Sequence, residues 1–358
     1  MRASLMRAVL LALACAIATA SAGSAADRGA DRWFVRPFRA DSTWNTPIPA
    51  SARYEAVPGI EGMFGGLNYD DRWGVGVYRA TRRDRRARLL IHDWTLWGKL
   101  DSGEVKTASN TREVEDRLRS VSKQFPDFPA NFYSTTTRAA DAAGRTWPGN
   151  IRPITEGWSN TIYVPARARP SPDTDALLAI YQSDGLVLEC YDAVVCANGD
   201  VVCTMAGFTD PAGDGTGANN GRCASLINCY AGLVRAGEVA SGRIRHALHL
   251  TCSRKLLAPQ AVPPALAFDM NDRYEGSVPM GSLLALPGGM DIRSLGLTKR
   301  GEVIARAMRE YGAIITDRGG DGGLTLRAAL DASDAFYPER ATDLTIIVRK
   351  LQRVAGDR

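Results

Sequence analysis

Ten short runs of β-favouring residues, set apart by glycine-, asparagine- and serine-containing connections, constrain the fold of this chain more than any other feature. They cover residues 88–94, 161–165, 177–182, 185–196, 200–208, 244–252, 281–286, 313–317, 323–328 and 343–350. Ser183-Asp184 separates the third run from the fourth, and Asn198-Gly199 separates the fourth from the fifth. Asn-Gly suits the two left-handed positions of a tight hairpin turn. Runs this short, punctuated this often, predict a mainly β fold: an antiparallel β-sandwich of jelly-roll type. Two accessory helices are expected. Asn110 with Glu113 forms a capping box ahead of Val114, Leu118 and Val121. Residues 299–311 place Ile304, Ala307, Met308 and Tyr311 on one helical face, with Gly312 as a stop.

The chain opens with Arg2 and Arg7, an apolar stretch over residues 8–18, and small residues at Ala20-Ser21-Ala22 and Ser24-Ala25-Ala26. That order reads as a secretory signal peptide over residues 1–26, cleaved between Ala22 and Asp27. The stretch is shorter than a membrane span requires, so stable membrane insertion is not expected. Cys15 follows Ala14 but lacks the leucine of a lipid-attachment site. Residues 27–358 then form a single sandwich domain in a secreted or periplasmic protein, with a cysteine-rich insert around 190–229. Removing the signal takes the net charge from +5 to +3, because it holds two arginines and no acid. So small a charge argues against nucleic acid as a partner. Six cysteines remain, at 190, 196, 203, 223, 229 and 252, and in an oxidising compartment they allow up to three disulfides. No C-x-x-C pair supports zinc instead.

Chemistry-bearing residues concentrate between 189 and 252. Tyr230, Arg235, Glu238, Arg243, Arg245, His246 and His249 lie within twenty positions of one another. Strand alternation puts His246 and His249 on opposite faces, with His249 on the polar, more accessible one. These residue types suit β-elimination of an acidic polysaccharide. That reaction needs a cation against the uronate carboxylate, a base for the adjacent proton and an acid for the departing oxygen. His246 or His249 is the expected base, a tyrosine such as Tyr230 the expected acid, and Arg235 or Arg245 the neutralising cation, with Glu238 a further catalytic candidate. Arg243 and Arg245 are expected to bind substrate, since guanidinium matches carboxylate bidentately. Tyr274 and Tyr311 are further phenols, the latter expected in the core. Hydrolysis by a carboxyl pair is the rival chemistry, with Glu189 and Asp192, or Asp214 and Glu238, as pairs. Non-catalytic glycan binding in the cell envelope is the third reading.

The glycine-rich stretch around Asp210 and Asp214 reads as a surface loop or a calcium site, calcium preferring oxygen ligands. No other cofactor is indicated. Residues 79–88 hold six arginines, expected as a solvated hairpin tip or an attractor of anionic glycans. Seven tryptophans offer faces for sugar stacking, though large aromatics usually serve the core. No G-x-S-x-G, Walker, dinucleotide or H-E-x-x-H motif is present.

Residues 41–49 (DSTWNTPIP), 242–248 (GRIRHAL), 279–287 (PMGSLLALP), 305–312 (ARAMREYG) and 316–320 (TDRGG) resemble a group of secreted bacterial jelly-roll β-sandwich proteins with polysaccharide-lyase-like character. The resemblance touches most of the mature chain. It implies the sandwich fold and export more than any one activity. The cysteine-rich insert departs from the group's pattern, which puts the shape of any cleft in doubt.

Overall fold

The structure, a computed structural model, describes residues 33–68, 74–91, 161–171, 175–191, 193–195, 199–203, 205–216, 222–268, 273–335 and 340–356. The signal segment, Cys15, the expected helix near 110–121, Asp192, Cys196 and Asn198 lie outside the described residues, as do Trp73, Trp94, Trp97, Trp147 and Trp158. The strands run in chain order as β1 (Arg53–Glu55), β2 (Phe64–Asn68), β3 (Gly76–Arg79), β4 (Arg85–Ile91), β5 (Thr161–Val164), β6 (Leu178–Tyr181), β7 (Val187–Tyr191), β8 (Val194–Val195) and β9 (Val201–Cys203). They continue as β10 (Met205–Thr209), β11 (Leu248–Ser253), β12 (Leu257–Ala261), β13 (Val278–Met280), β14 (Leu283–Ala285), β15 (Ala313–Gly319), β16 (Gly323–Arg327) and β17 (Gln352–Ala355). Three α-helices bear on the argument: α1 (Ala236–Ala240), α2 (Lys299–Glu310) and α3 (Arg340–Val348).

The strands form a mainly β fold of stacked sheets. One seven-stranded sheet has the order β1-β17-β14-β15-β11-β16-β2, and two four-stranded sheets have the orders β10-β7-β6-β3 and β5-β4-β9-β8. Side-chain alternation explains the stacking. On β6, Ala179 and Tyr181 join the large core shared with the seven-stranded sheet. Leu178 and Ile180 join a second core with Ala87, Leu89, Ile162, Val164 and Val201 from the third sheet. The sheet β10-β7-β6-β3 is therefore a middle layer covered on both faces, and β6 is buried at every position.

Both expected hairpins form. β6 and β7 pair antiparallel with Gly185 at φ 93°, and β8 and β9 pair antiparallel with Gly199 at φ 88°. The expectation of antiparallel sheets is corrected. β11 with β15, β16 with β2, β3 with β6 and β4 with β9 all run parallel, so the sheets are mixed. Parallel partners come from distant parts of the chain, and short-range turn signals carry no information about them.

The helix expected at 299–311 is α2, capped by the Thr298 hydroxyl, which accepts from the Gly301 amide at 3.2 Å. The strand expected at 343–350 is instead the body of α3. Thr345, Ile346, Ile347 and Val348 favour strands by their branching, yet Leu344, Ile347 and Val348 recur at helical spacing and all three are buried. α3 lies against β2 so closely that a Cβ on Gly65 would sit 2.2 Å from the Leu344 carbonyl. Packing outweighs propensity here.

One disulfide is present among the described residues, Cys223–Cys229, against the three that the cysteine count allows. Cys190, Cys203 and Cys252 are buried thiols. Burial pushes the Cys252 thiol up to about 12, far from the reactive thiolate.

Candidate functional site

Residues 222–249 pass through the large core and carry Tyr230, Arg235, Glu238, His246 and His249, the residues expected to perform β-elimination. β11 is the strand expected to expose His249. It lies between β15 and β16 in the middle of the seven-stranded sheet, and all six of its residues are buried. The alternation is real, but both faces of this strand are covered, so neither is accessible. His249 has no exposed surface. Its Nδ1–H donates to the Ala231 carbonyl at 3.1 Å, and its Nε2 accepts from the Thr316 hydroxyl at 2.5 Å. Burial, then the nearby Arg327 charge, hold its pKa well below the ordinary value. His249 is a neutral core histidine, which corrects its expected exposure and its assignment as a base.

His246 precedes β11 and is 3% exposed. Its Nδ1 faces the Ala247 carbonyl at 2.8 Å, and its Nε2 faces the Glu238 carboxylate at 3.1 Å. Both ring nitrogens meet acceptors, so the ring carries both protons. Burial alone would lower its pKa; the Glu238 charge, the Glu238 hydrogen bond and the Ala247 carbonyl outweigh that and raise it. An imidazolium has no lone pair with which to abstract a proton. His246 and Glu238, which the sequence places eight residues apart, are thus brought together as a buried ion pair. Glu238 reaches it from α1.

The other nominated residues scatter. Tyr230 is buried and shares a hydrogen bond of 2.8 Å with the Thr209 hydroxyl. Its ring lies 5.8 Å from Tyr181 and 5.9 Å from Phe38. Burial, with Tyr181 and carboxylates nearby, pushes the phenol well above its usual range. Tyr230 is thus placed in the core with its hydroxyl engaged by Thr209. Arg235 is also buried. It binds Asp331 with Nη2 at 2.7 Å, donates to the Phe34 carbonyl at 3.1 Å and lies over the Phe34 ring at 4.6 Å. A guanidinium engaged on three sides inside the protein is a poor receptor for a uronate. Tyr274 packs on Phe268 at 6.1 Å, away from this segment.

Arg243 and Arg245 do reach solvent. They flank buried Ile244, so local alternation turns both outward. Arg243 meets Glu310 at 3.4 Å, and Arg245 makes no hydrogen bond or ion pair among the described residues. The charges of Arg36 and Arg243 both bear on Tyr311, whose pKa burial and Glu310 raise. The Arg36 charge is felt at His246 as well. Arg36 and Glu310 escape a sequence reading because each lies more than sixty positions from His246, with no motif to tie them to it.

The loop carrying Asp210 and Asp214 is a clamp. Asp210 Oδ1 accepts from the Ala212 amide at 2.8 Å, and Asp214 Oδ1 accepts from Thr216 N at 3.0 Å, each bracing its own turn. Pro211 and Gly213 carbonyls accept from Phe38 and Arg39, and the Gly215 carbonyl accepts from the Trp44 indole at 2.9 Å. No group of three or more histidine, cysteine or acidic side chains is placed to hold a metal among the described residues. Pro211, Gly213 and Gly215 here serve to bind the N-terminal segment, a role that the glycine-rich composition alone does not reveal.

Glu189 on β7 is a buried carboxyl. Its Oε1 accepts from Cys229 N at 2.6 Å and Arg222 N at 3.1 Å, and its Oε2 accepts from Asn228 Nδ2 at 3.0 Å. Burial raises its pKa against these donors and the Arg222 charge. A carboxyl whose folded pKa is raised favours the folded state at low pH, and that stability is lost as pH rises through the folded pKa. Asn228 Oδ1 has no partner, so an inverted Asn228 amide would accept a proton from Oε2. With the Asn228 amide inverted, the Glu189→Gln side chain still accepts from Cys229 N and Arg222 N and donates to Asn228 Oδ1, without a charge. It should match or exceed the native stability at pH 7 and abolish the gain on acidification to pH 5. Urea denaturation at the two pH values measures both.

Comparison of the chain with protein-family models, with curated proteins and with solved structures finds no match.

Proposed function

We propose that this is an exported carbohydrate-active protein that recognises acidic, uronate-containing glycans at the face carrying Arg243 and Arg245. One observation carries the reading: two exposed guanidiniums, of which Arg245 has no carboxylate partner among the described residues, lie next in sequence to the buried His246–Glu238 pair. Guanidinium forks bind carboxylates in two parallel hydrogen bonds, and the buried pair holds the adjacent backbone still. The secreted jelly-roll proteins that the sequence resembles suit the same reading.

Cleavage by β-elimination draws no support from His246, His249 or Tyr230, whose polar atoms are engaged inside the protein. Hydrolysis draws none from Glu189 or Glu238, which are buried, nor from Asp214, which braces its own turn. Binding without cleavage is the version that the geometry favours.

Calorimetry against alginate, glucuronan and pectate, run beside ultraviolet absorbance for unsaturated uronates, tests it. The native protein should bind at least one of them without an absorbance rise. Arg243→Glu with Arg245→Glu should weaken that binding at least tenfold. A rise in absorbance would restore the lyase reading, and reducing ends without absorbance would favour a hydrolase. Failure to bind any acidic glycan would end the proposal.

A further inference from the structure

We infer that the turn joining β3 to β4 forms a second anion-binding surface, shaped for a stretch of carboxylated glycan. The inference takes its ligand class from the reading above but uses different residues. Residues 79–88 hold six arginines and one aspartate. Arg82, Arg83, Arg85, Arg86 and Arg88 are exposed. Exposed Arg167 and Arg169 join them from the turn after β5. Arg169 hydrogen-bonds the Tyr78 phenol, and the Arg167 charge is felt there too. The Arg169 carbonyl lies 2.2 Å from where a Cβ on Gly76 would stand, so this turn is pressed onto the start of β3.

Among the described residues, Asp84 and Asp200 are carboxylates bonded within this surface, and both are occupied with building it. Asp84 accepts from Thr81 N at 2.7 Å and Thr81 Oγ1 at 2.8 Å, which closes the turn. Asp200 takes Arg88 at 2.6 Å. Arg82, Arg83, Arg86 and Arg167 make no ion pair among the described residues, and they stand on a rigid base, since β4 is paired on one side with β5 and on the other with β9. Like charges so close repel one another, and a bound polyanion relieves the repulsion.

The surroundings favour a sugar chain over a lipid surface. Tyr163 stands opposite Arg86 across the β4–β5 ladder, and Tyr78 lies beside Arg169; both rings are half-buried. Aromatic faces beside cations suit pyranose rings that bear carboxylates. The exposed large apolar side chains among the described residues are Val35, Phe64 and Leu266, and none belongs to this turn. Interfacial membrane binding relies on such side chains entering the lipid.

The test compares Arg82→Glu/Arg83→Glu/Arg86→Glu, its Arg→Gln counterpart, and Arg243→Glu/Arg245→Glu, with pectate as the probe at several salt concentrations. Phosphatidylglycerol vesicles and single-stranded DNA serve as alternative probes. The triple variants should weaken pectate binding at least tenfold and flatten its salt dependence by about two to three counterions, as loss of that many ionic contacts requires. Circular dichroism should be unchanged, because the substituted side chains are exposed. Unaltered affinity and salt slope in the triple variants would overturn the inference while leaving the Arg243/Arg245 reading intact. Binding lost in the triple variants but kept in Arg243→Glu/Arg245→Glu would do the reverse. Native binding to vesicles or DNA in preference to pectate would also overturn it.

Discussion

His246→Ala should destabilise the protein by about 3–4 kcal/mol at pH 7, roughly twice the cost of Glu238→Ala. The asymmetry comes from how each partner escapes when left alone. Without Glu238, the imidazole gives up a proton, which costs little at pH 7 because its ordinary pKa is near 6.5. What remains is an unpaired ring nitrogen, worth about 1–2 kcal/mol. Without His246, the Glu238 carboxylate is stranded in a site where its residue is 9% exposed. Leaving that buried charge without its partner costs about 3–4 kcal/mol. The pair also gives the native protein a pH signature. The raised folded pKa of His246 contributes stability that is fully present below pH 6.5 and is lost as pH rises through the folded value. Glu238→Ala should flatten that loss. Urea midpoints for the native protein and both variants between pH 5 and pH 9 give the result; equal costs, or a native midpoint that does not move above pH 6.5, would remove the ion pair from the account.

Gly232→Ala should be more damaging still, at about 4 kcal/mol or more, with loss of soluble protein as the extreme. Gly232 has φ 64°, a conformation that costs other residues about 1–2 kcal/mol. A Cβ there would lie 2.3 Å from Trp44 Cζ3, 2.8 Å from the Ala247 carbonyl oxygen and 2.8 Å from the His249 amide. None of these neighbours can give way. Trp44 is 1% exposed and tied through its indole to the Gly215 carbonyl, and the other two atoms are backbone at the entrance to β11. Gly185→Ala is the matching control, with φ 93° and no atom within 4 Å of the added Cβ. It should show the conformational cost alone. Soluble yield and denaturation midpoints separate the two, and near-ultraviolet dichroism reports on Trp44. If Gly232→Ala were no worse than Gly185→Ala, the close approach of Trp44 would be wrong.

The elements that were legible in the sequence are those decided within a few residues. Ser183-Asp184 and Gly199 mark the hairpins that join β6 to β7 and β8 to β9. The spacing of Ile304, Ala307 and Met308, with Gly312 as the stop, marks α2. Arg243 and Arg245, expected to bind substrate, are exposed. The misread elements depend on what lies across the fold. α3 has a strand-like composition and is helical because β2 covers Leu344 and Ile347. His249 sits at a polar position of an alternating run, yet the segment from Ala231 to Val234 passes over that face and seals it.

Local chemistry therefore determined that this chain forms short strands with tight turns, exposes a dense run of arginines (in a turn between two sheets, since β3 and β4 do not pair as the expected hairpin) and gathers histidine, tyrosine and acid near positions 230–249. Backbone turns and side-chain alternation act over two to four residues, and that range is written directly in the order of residues. Tertiary structure alone decided which strands run parallel, that one sheet is covered on both faces, and that His246 finds Glu238 while His249, Tyr230 and Arg235 turn to separate partners inside the core. Those outcomes follow from where distant segments pack, and burial and the pairing of buried charge take their energy from neighbours that adjacent residues do not specify.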